Sequence, residues 1–169
     1  TYVLRWTVSN SCGSNSDDVT VRFNQTPVTD IDGNIYPVVK IGDQLWMSEN
    51  LKTTKYNDGT SIPNVTDISA WSNLSSGAWT YYNNIPPNNA IYGKLYNWYA
   101  VNTTKLCPQG WHIPTDAEWT ILTDYLGGAN MAGGKMKSVT GWNPPNIGAT
   151  NVSEFSGLPG GYRDYGSFT

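Results

Sequence analysis

The 169-residue chain is short of charge, histidine and cysteine. Acidic and basic side chains together make up 14% of it, against about a quarter in ordinary soluble domains. It has no run of basic residues and carries a net charge of −3, which leaves no electrostatic footprint for nucleic acid. No apolar run is long enough to cross a bilayer, so no membrane span is expected. One histidine, His112, and two cysteines, Cys12 and Cys107, cannot supply a tetrahedral zinc set. No nucleophile signature accompanies His112, so a hydrolase triad lacks its parts. A signal peptide is also missing. Thr1 falls inside a strand-like pattern, so the sequence reads as an internal piece of a longer protein.

What is present is aromatic and irregular. Aromatics reach 13%, with eight Trp and eleven Tyr, beside 17 Gly and 10 Pro. This composition points to an irregular, loop-rich fold pinned by large rings, and away from a helical bundle.

Residues 2–8 and the stretch carrying Val19, Val21 and Phe23 alternate in the strand manner around a polar turn. They predict one β-hairpin over residues 1–25, which resembles the last two strands of Ig-like or PKD-like repeats of large bacterial surface proteins. A lone hairpin is marginal in water, so this one is expected to belong to a β-sandwich sheet. Residues 26–29 read as a linker. A second unit, 30–169, opens with three short strands, Val28 to Ile31, Ile35 to Ile41 and Gln44 to Met47. They are separated by turns at Asp32-Gly33-Asn34 and Gly42-Asp43. Asp30 and Asp32 lack the later acidic ligands of a calcium loop and are assigned to the turn. Short helices are expected near Asp67 to Trp71 and from Lys94 to Val101. A strand is expected over Lys135 to Val139, another near Phe155 to Leu158, and a further one from Gly161.

The clearest segment is CPQGWHIPTDAEWTILTDYLGG, from Cys107 to Gly128. Thr115 suits an N-cap, and Glu118 three residues later completes a capping box. Asp116 and Glu118 also place negative charge on the positive end of the helix dipole. Trp119, Leu122 and Leu126 form an apolar stripe, and Gly127-Gly128 stops the helix. Asp116 and Glu118 diverge on the helix, which rules them out as a glycosidase pair.

Several motifs in fixed order carry a resemblance: TDIDGNIYPVVKIGDQLWMSENLKTTKYNDG, YGKLYNWYAV, CPQGWHIPTDAEW, YLGG, AGGKMK, GATN and SGLPGGYRD. Residues 29–169 resemble the Fibrobacter succinogenes major paralogous domain, abundant in secreted proteins and lipoproteins of Bacteroidetes and Fibrobacter. The I-P-T-D-A-E-W core is also similar to an element of the formylglycine-generating enzymes. The resemblance implies a C-type-lectin-like, formylglycine-generating-enzyme-like fold: two helices on a small irregular antiparallel sheet with long loops. It also implies further strands and a cysteine partner for Cys107 beyond Thr169, so that the domain is C-terminally truncated and Cys107 free. The copper-binding cysteine pair of the formylglycine-generating enzymes has no counterpart here, and no cofactor, metal or catalytic residue is expected.

Trp46, Trp98, Trp111, Trp119 and Trp142 fall within motifs and are expected in the core. The candidate ligand-binding residues are Trp71, Trp79, Tyr81 and Tyr82, in a polar, proline-broken stretch, with Arg163 and Asp164 in the glycine-rich GGYRDYG turn. For the four aromatics core packing competes with ligand stacking. For Arg163 and Asp164 the competing role is an ion pair tying the terminal loop to the body. The expected function is a non-catalytic extracellular binding or adhesion module at a bacterial surface, recognising a glycan or protein ligand through aromatic loops. The alternatives are a divergent enzyme of the same fold and a purely structural spacer.

Overall fold

A computed structural model describes residues 2–21 and 25–169. The N-terminal hairpin pairs β1 (Tyr2–Asn10) with β2 (Gly13–Val21) in antiparallel register across a two-residue turn at Ser11-Cys12. The expected strand position of Phe23 lies outside the described residues. Arg5 grips Asp18 with two charge-assisted hydrogen bonds of 2.7 and 2.8 Å. Trp6, one residue along and therefore on the opposite face, is 76% exposed.

The remainder is α+β, built from small separate ladders instead of one continuous sheet. β3 (Val28–Thr29) pairs with β4 (Ile35–Tyr36), and β5 (Val38–Ile41) with β6 (Gln44–Met47). Pro37 divides the expected Ile35–Ile41 strand, because proline has no N–H for the ladder. The first turn closes from the Asp30 carbonyl to the Gly33 N–H, with Gly33 at φ 85°. The Asp30 carboxylate accepts from the N–H groups of Asp32 and Asn34 and, at 2.6 Å, from the Tyr36 hydroxyl. The assignment of Asp30 to a turn thus has a structural cause.

Among the described residues five α-helices follow: α1 (Ile68–Ser72), α2 (Asn89–Tyr92), α3 (Trp98–Val101), α4 (Asp116–Tyr125) and α5 (Ala129–Met136). Two short ladders accompany them, β7 (Trp79–Thr80) with β8 (Leu95–Tyr96) and β9 (Arg163–Asp164) with β10 (Ser167–Phe168). Helix α4 begins and ends where its sequence signals place it. The Thr115 side chain accepts from the Glu118 N–H, and the Thr115 N–H in turn donates to the Glu118 carboxylate. Gly127 and Gly128 close it at φ 97° and 87°.

Three expectations are corrected. The helix expected over Lys94–Val101 is split: Lys94 is buried, Leu95–Tyr96 is strand, and only Trp98–Val101 is helical, because the Asn97 side chain caps the Ala100 N–H. Of the strand expected over Lys135–Val139, Lys135 and Met136 are instead the end of α5, since Gly134 fits against the backbone of Gly148 and the helix packs Ala132 into the core, and only Lys137 forms a β-bridge. Near Phe155–Leu158 only a single parallel bridge, Lys137 to Gly157, is formed.

Two apolar clusters hold the fold. Ile41 and Trp46 meet Leu122, Leu126 and Ala132, joining the β5–β6 ladder to α4 and α5. Ile62, Trp79 and Leu106 form the second, with Tyr96 and Val101 packed against it. Trp98 is 68% exposed, contrary to its expected core position, because the one-turn helix α3 buries Ala100 instead. Trp119 is 38% exposed but still stacks on Trp46, with ring centroids 4.7 Å apart. Trp111 and Trp142 are half-buried.

Candidate functional site

Trp79 is a core residue and leaves the set of candidate ligand-binding side chains. It is 6% exposed, and its indole N–H donates 2.8 Å to the Ile62 carbonyl. β7 threads between the Pro63–Val65 segment and β8, so both Trp79 and Thr80 are covered. Tyr81 stands edge-on to Trp79 at 5.0 Å. The Lys94 ammonium lies 4.8 Å from the Trp79 ring centroid and 5.6 Å from that of Tyr81. It donates to the Lys52 carbonyl and, at 2.9 Å, to Asn89 Oδ1. Burial pushes the Lys94 pKa down, because desolvation penalises the charged form. These contacts make Lys94 an internal cationic strut.

Arg163 links Trp71 to Phe168, which in turn packs on Tyr82. The Arg163 guanidinium lies 4.5 Å from the Trp71 ring centroid and 5.0 Å from that of Phe168. It donates 2.8 Å to the Val65 carbonyl and 2.9 Å to that of Thr66. Asp164 is exposed, and no Arg163–Asp164 ion pair forms among the described residues. The expected tie between the terminal loop and the body is therefore real but runs through backbone carbonyls. Arginine suits that role, because its fixed fork of donors reaches several acceptors at once while its plane stacks on rings. Phe168 packs edge-on to Tyr82 at 5.9 Å, and Tyr82 packs against Tyr92 at 6.1 Å.

Tyr82 lines a cleft of about 1030 Å³. Its walls include Tyr82, Tyr92 and Tyr162, with Trp142 and the amides of Asn50 and Asn143. The floor is apolar, from Leu51, Val101 and Leu106. Asn50 donates 2.9 Å to the Tyr92 carbonyl, which fixes that side of the mouth. Gly93 turns the chain here at φ 67°, where a Cβ would meet the Leu51 carbonyl oxygen at 2.6 Å. The cleft brings together one predicted residue, Tyr82, with Tyr92, Trp142 and Tyr162, which sequence reasoning did not select. Their signal was weak: each lies in a motif segment beside Gly, Pro or Asn, where an aromatic also reads as core.

The chemical groups elsewhere are restrained. His112 Nε2 lies 2.7 Å from Glu118 Oε1, and the same carboxylate closes the capping box. The Thr115 N–H first, and then His112 and the Thr115 hydroxyl, hold Glu118 down at about 2. Cys107 is buried and free, and burial pushes its thiol up to about 11. A thiol so protected is a poor nucleophile at neutral pH. Among the described residues no group of three or more His, Cys, Asp or Glu side chains is placed to hold a metal ion. Also among them, no helix is long and apolar enough to cross a membrane.

A family model described as the Fibrobacter succinogenes major domain matches residues 39–168. No curated protein and no solved structure matches the chain. The matched stretch runs from β5 to β10 and takes in both apolar clusters, the Arg163 clamp and nearly the whole cleft lining. On that match the chain belongs to the Fibrobacter succinogenes major domain family.

Proposed function

We propose that this chain is a non-catalytic binding module working outside the cell at a bacterial surface, and that it takes a glycan in the tyrosine-lined cleft. The observation that carries the reading is the lining itself: Tyr82, Tyr92, Tyr162 and Trp142 beside Asn50 and Asn143. Rings offer flat apolar faces to the C–H faces of a sugar, and amides exchange hydrogen bonds with its hydroxyls. A cleft of about 1030 Å³ is large enough for more than one sugar unit. The protonated Cys107 and the capped Glu118 favour binding over catalysis.

We place the domain in a C-type-lectin-like variant of the α+β class, on the packing of α4 and α5 against small ladders. The N-terminal hairpin fits an Ig-like spacer, on its alternation of an ion-paired and an apolar face. A glycan array probed with the whole chain tests the function, followed by titration of any hit against Tyr82→Ala and Tyr162→Ala. Loss of about tenfold or more in affinity is expected for each, from removing one stacking partner. A folded sample that binds no glycan overturns the reading.

A further inference from the structure

A second concavity lies at the start of α4. It has a volume of about 470 Å³ and adjoins the tyrosine cleft at Asn50, Leu51 and Ile113. Its walls are three indoles and a phenyl ring, Trp46, Trp111, Trp119 and Phe155, with the carboxylates of Glu49 and Glu118. Three of the rings support one another. Trp46 and Trp119 have centroids 4.7 Å apart, and Phe155 stands edge-on to them at 5.9 and 6.1 Å.

Charge and hydrogen bonding narrow what such a pocket accepts. No lysine or arginine lines it. The Glu118 carboxylate accepts from the N–H and hydroxyl of Thr115 and lies 2.7 Å from His112 Nε2. Glu49 pairs at 2.7 Å with Lys52, which is outside the lining. Gln44, a polar side chain of the lining, is already occupied. Its Oε1 accepts from the Trp46 indole, and its Nε2 donates to the Glu118 carbonyl. A sugar would find few free donors or acceptors here, whereas the negative ring faces and carboxylates attract a cation with apolar flanks.

We propose that this pocket binds an organic cation, an alkylammonium or guanidinium group carried on an apolar stem. The indoles supply cation–π attraction and apolar contact, and Glu118 supplies the counter-charge at the rim. This site shares Asn50 with the glycan cleft but uses none of its tyrosines.

Indole fluorescence of the whole chain, titrated with choline chloride and with 3,3-dimethylbutan-1-ol, its neutral isostere, tests it. A saturable change is expected for choline, with affinity at least about tenfold above that for the alcohol. Glu118→Gln removes the charge and keeps a capping box, which Gln also completes. It should weaken choline binding several-fold in a variant that circular dichroism shows to be folded, while Tyr82→Ala leaves choline binding intact. Trp111→Leu should weaken it further, and circular dichroism checks that this variant is folded. Nα-acetyl-lysine and Nα-acetyl-arginine methylamides distinguish the source. Tighter binding of either than of choline assigns the pocket to a basic side chain of a partner, and the reverse assigns it to a free quaternary ammonium. Equal binding of choline and the alcohol, no binding of any cation, or an unchanged affinity in Glu118→Gln overturns the proposal.

Discussion

Lys94 shows how a charged side chain can be structural in a weakly charged protein. Its ammonium rests near Trp79 and Tyr81 and donates to Lys52 and Asn89, so its desolvation is offset by contacts a neutral residue cannot make. Lys94→Met keeps the length of the stem but leaves the Lys52 carbonyl without this donor. We expect a loss of about 1–3 kcal/mol in denaturant unfolding. Two tryptophans make a sharper comparison. Trp79→Ala should cost about 3–5 kcal/mol, because the ring is buried and its N–H bonded. Trp98→Ala should stay within about 0.5 kcal/mol, because that ring is exposed. The sequence suggested the opposite ranking. Trp79 has polar neighbours in sequence, and its burial comes from Pro63–Val65 and β8, contacts that local pattern does not record. Arg163 was legible as a tie but not its acceptors, since backbone carbonyls leave no trace in residue type.

Helix α4 was readable in full because capping chemistry is local: Thr115, Glu118 and the closing glycines each act within a turn or two. Thr115→Ala should cost about 1 kcal/mol, measured by thermal melting. Helix α5 was not readable, because two glycines in ANMAGGKM weigh against helix by about 1 kcal/mol each. Tertiary contact overrides them, and the two glycines differ. A Cβ on Gly133 meets nothing within 4 Å, so Gly133→Ala should gain the ordinary propensity. A Cβ on Gly134 collides with the Gly148 carbonyl, so Gly134→Ala should lower the melting temperature while Gly133→Ala raises it. A drop for both would mean that α5 is not helical at these positions.

For the whole molecule, titration sets a stability window. Burial first, and then the bond to Asp30, raise Tyr36 above the usual 10.0, and burial raises Tyr96 likewise. The Cys107 thiol moves from 9.0 to about 11. Each keeps its proton longer when folded than when unfolded, so stability falls as pH rises above about 9. At the acid end, burial alone would raise Asp32. The N–H and hydroxyl of Thr54 and the Lys55 ammonium instead bring it down to about 2, where Glu118 also lies. Their contribution is complete above about pH 5 and is lost as pH falls toward 2. Melting temperatures across pH 2–11 should form a plateau between these limits, and Cys107→Ala should move the alkaline shoulder upward. The two long-range clusters and the small ladders were beyond local pattern, as they join segments such as β6 and α4 that are far apart in the chain.

The segment after α5 has almost no regular structure, yet it is bonded to the end of that helix. Thr150 donates to the Gly134 carbonyl, Ser153 to that of Lys135 and Gly157 to that of Met136, while the Ser138 N–H returns a bond to Gly157. The carbonyls a helix end usually leaves to water are here the anchors of a loop. Irregularity and mobility therefore separate: in hydrogen–deuterium exchange the amides of Thr150, Ser153 and Gly157 should open together with those of α5, as one cooperative unit.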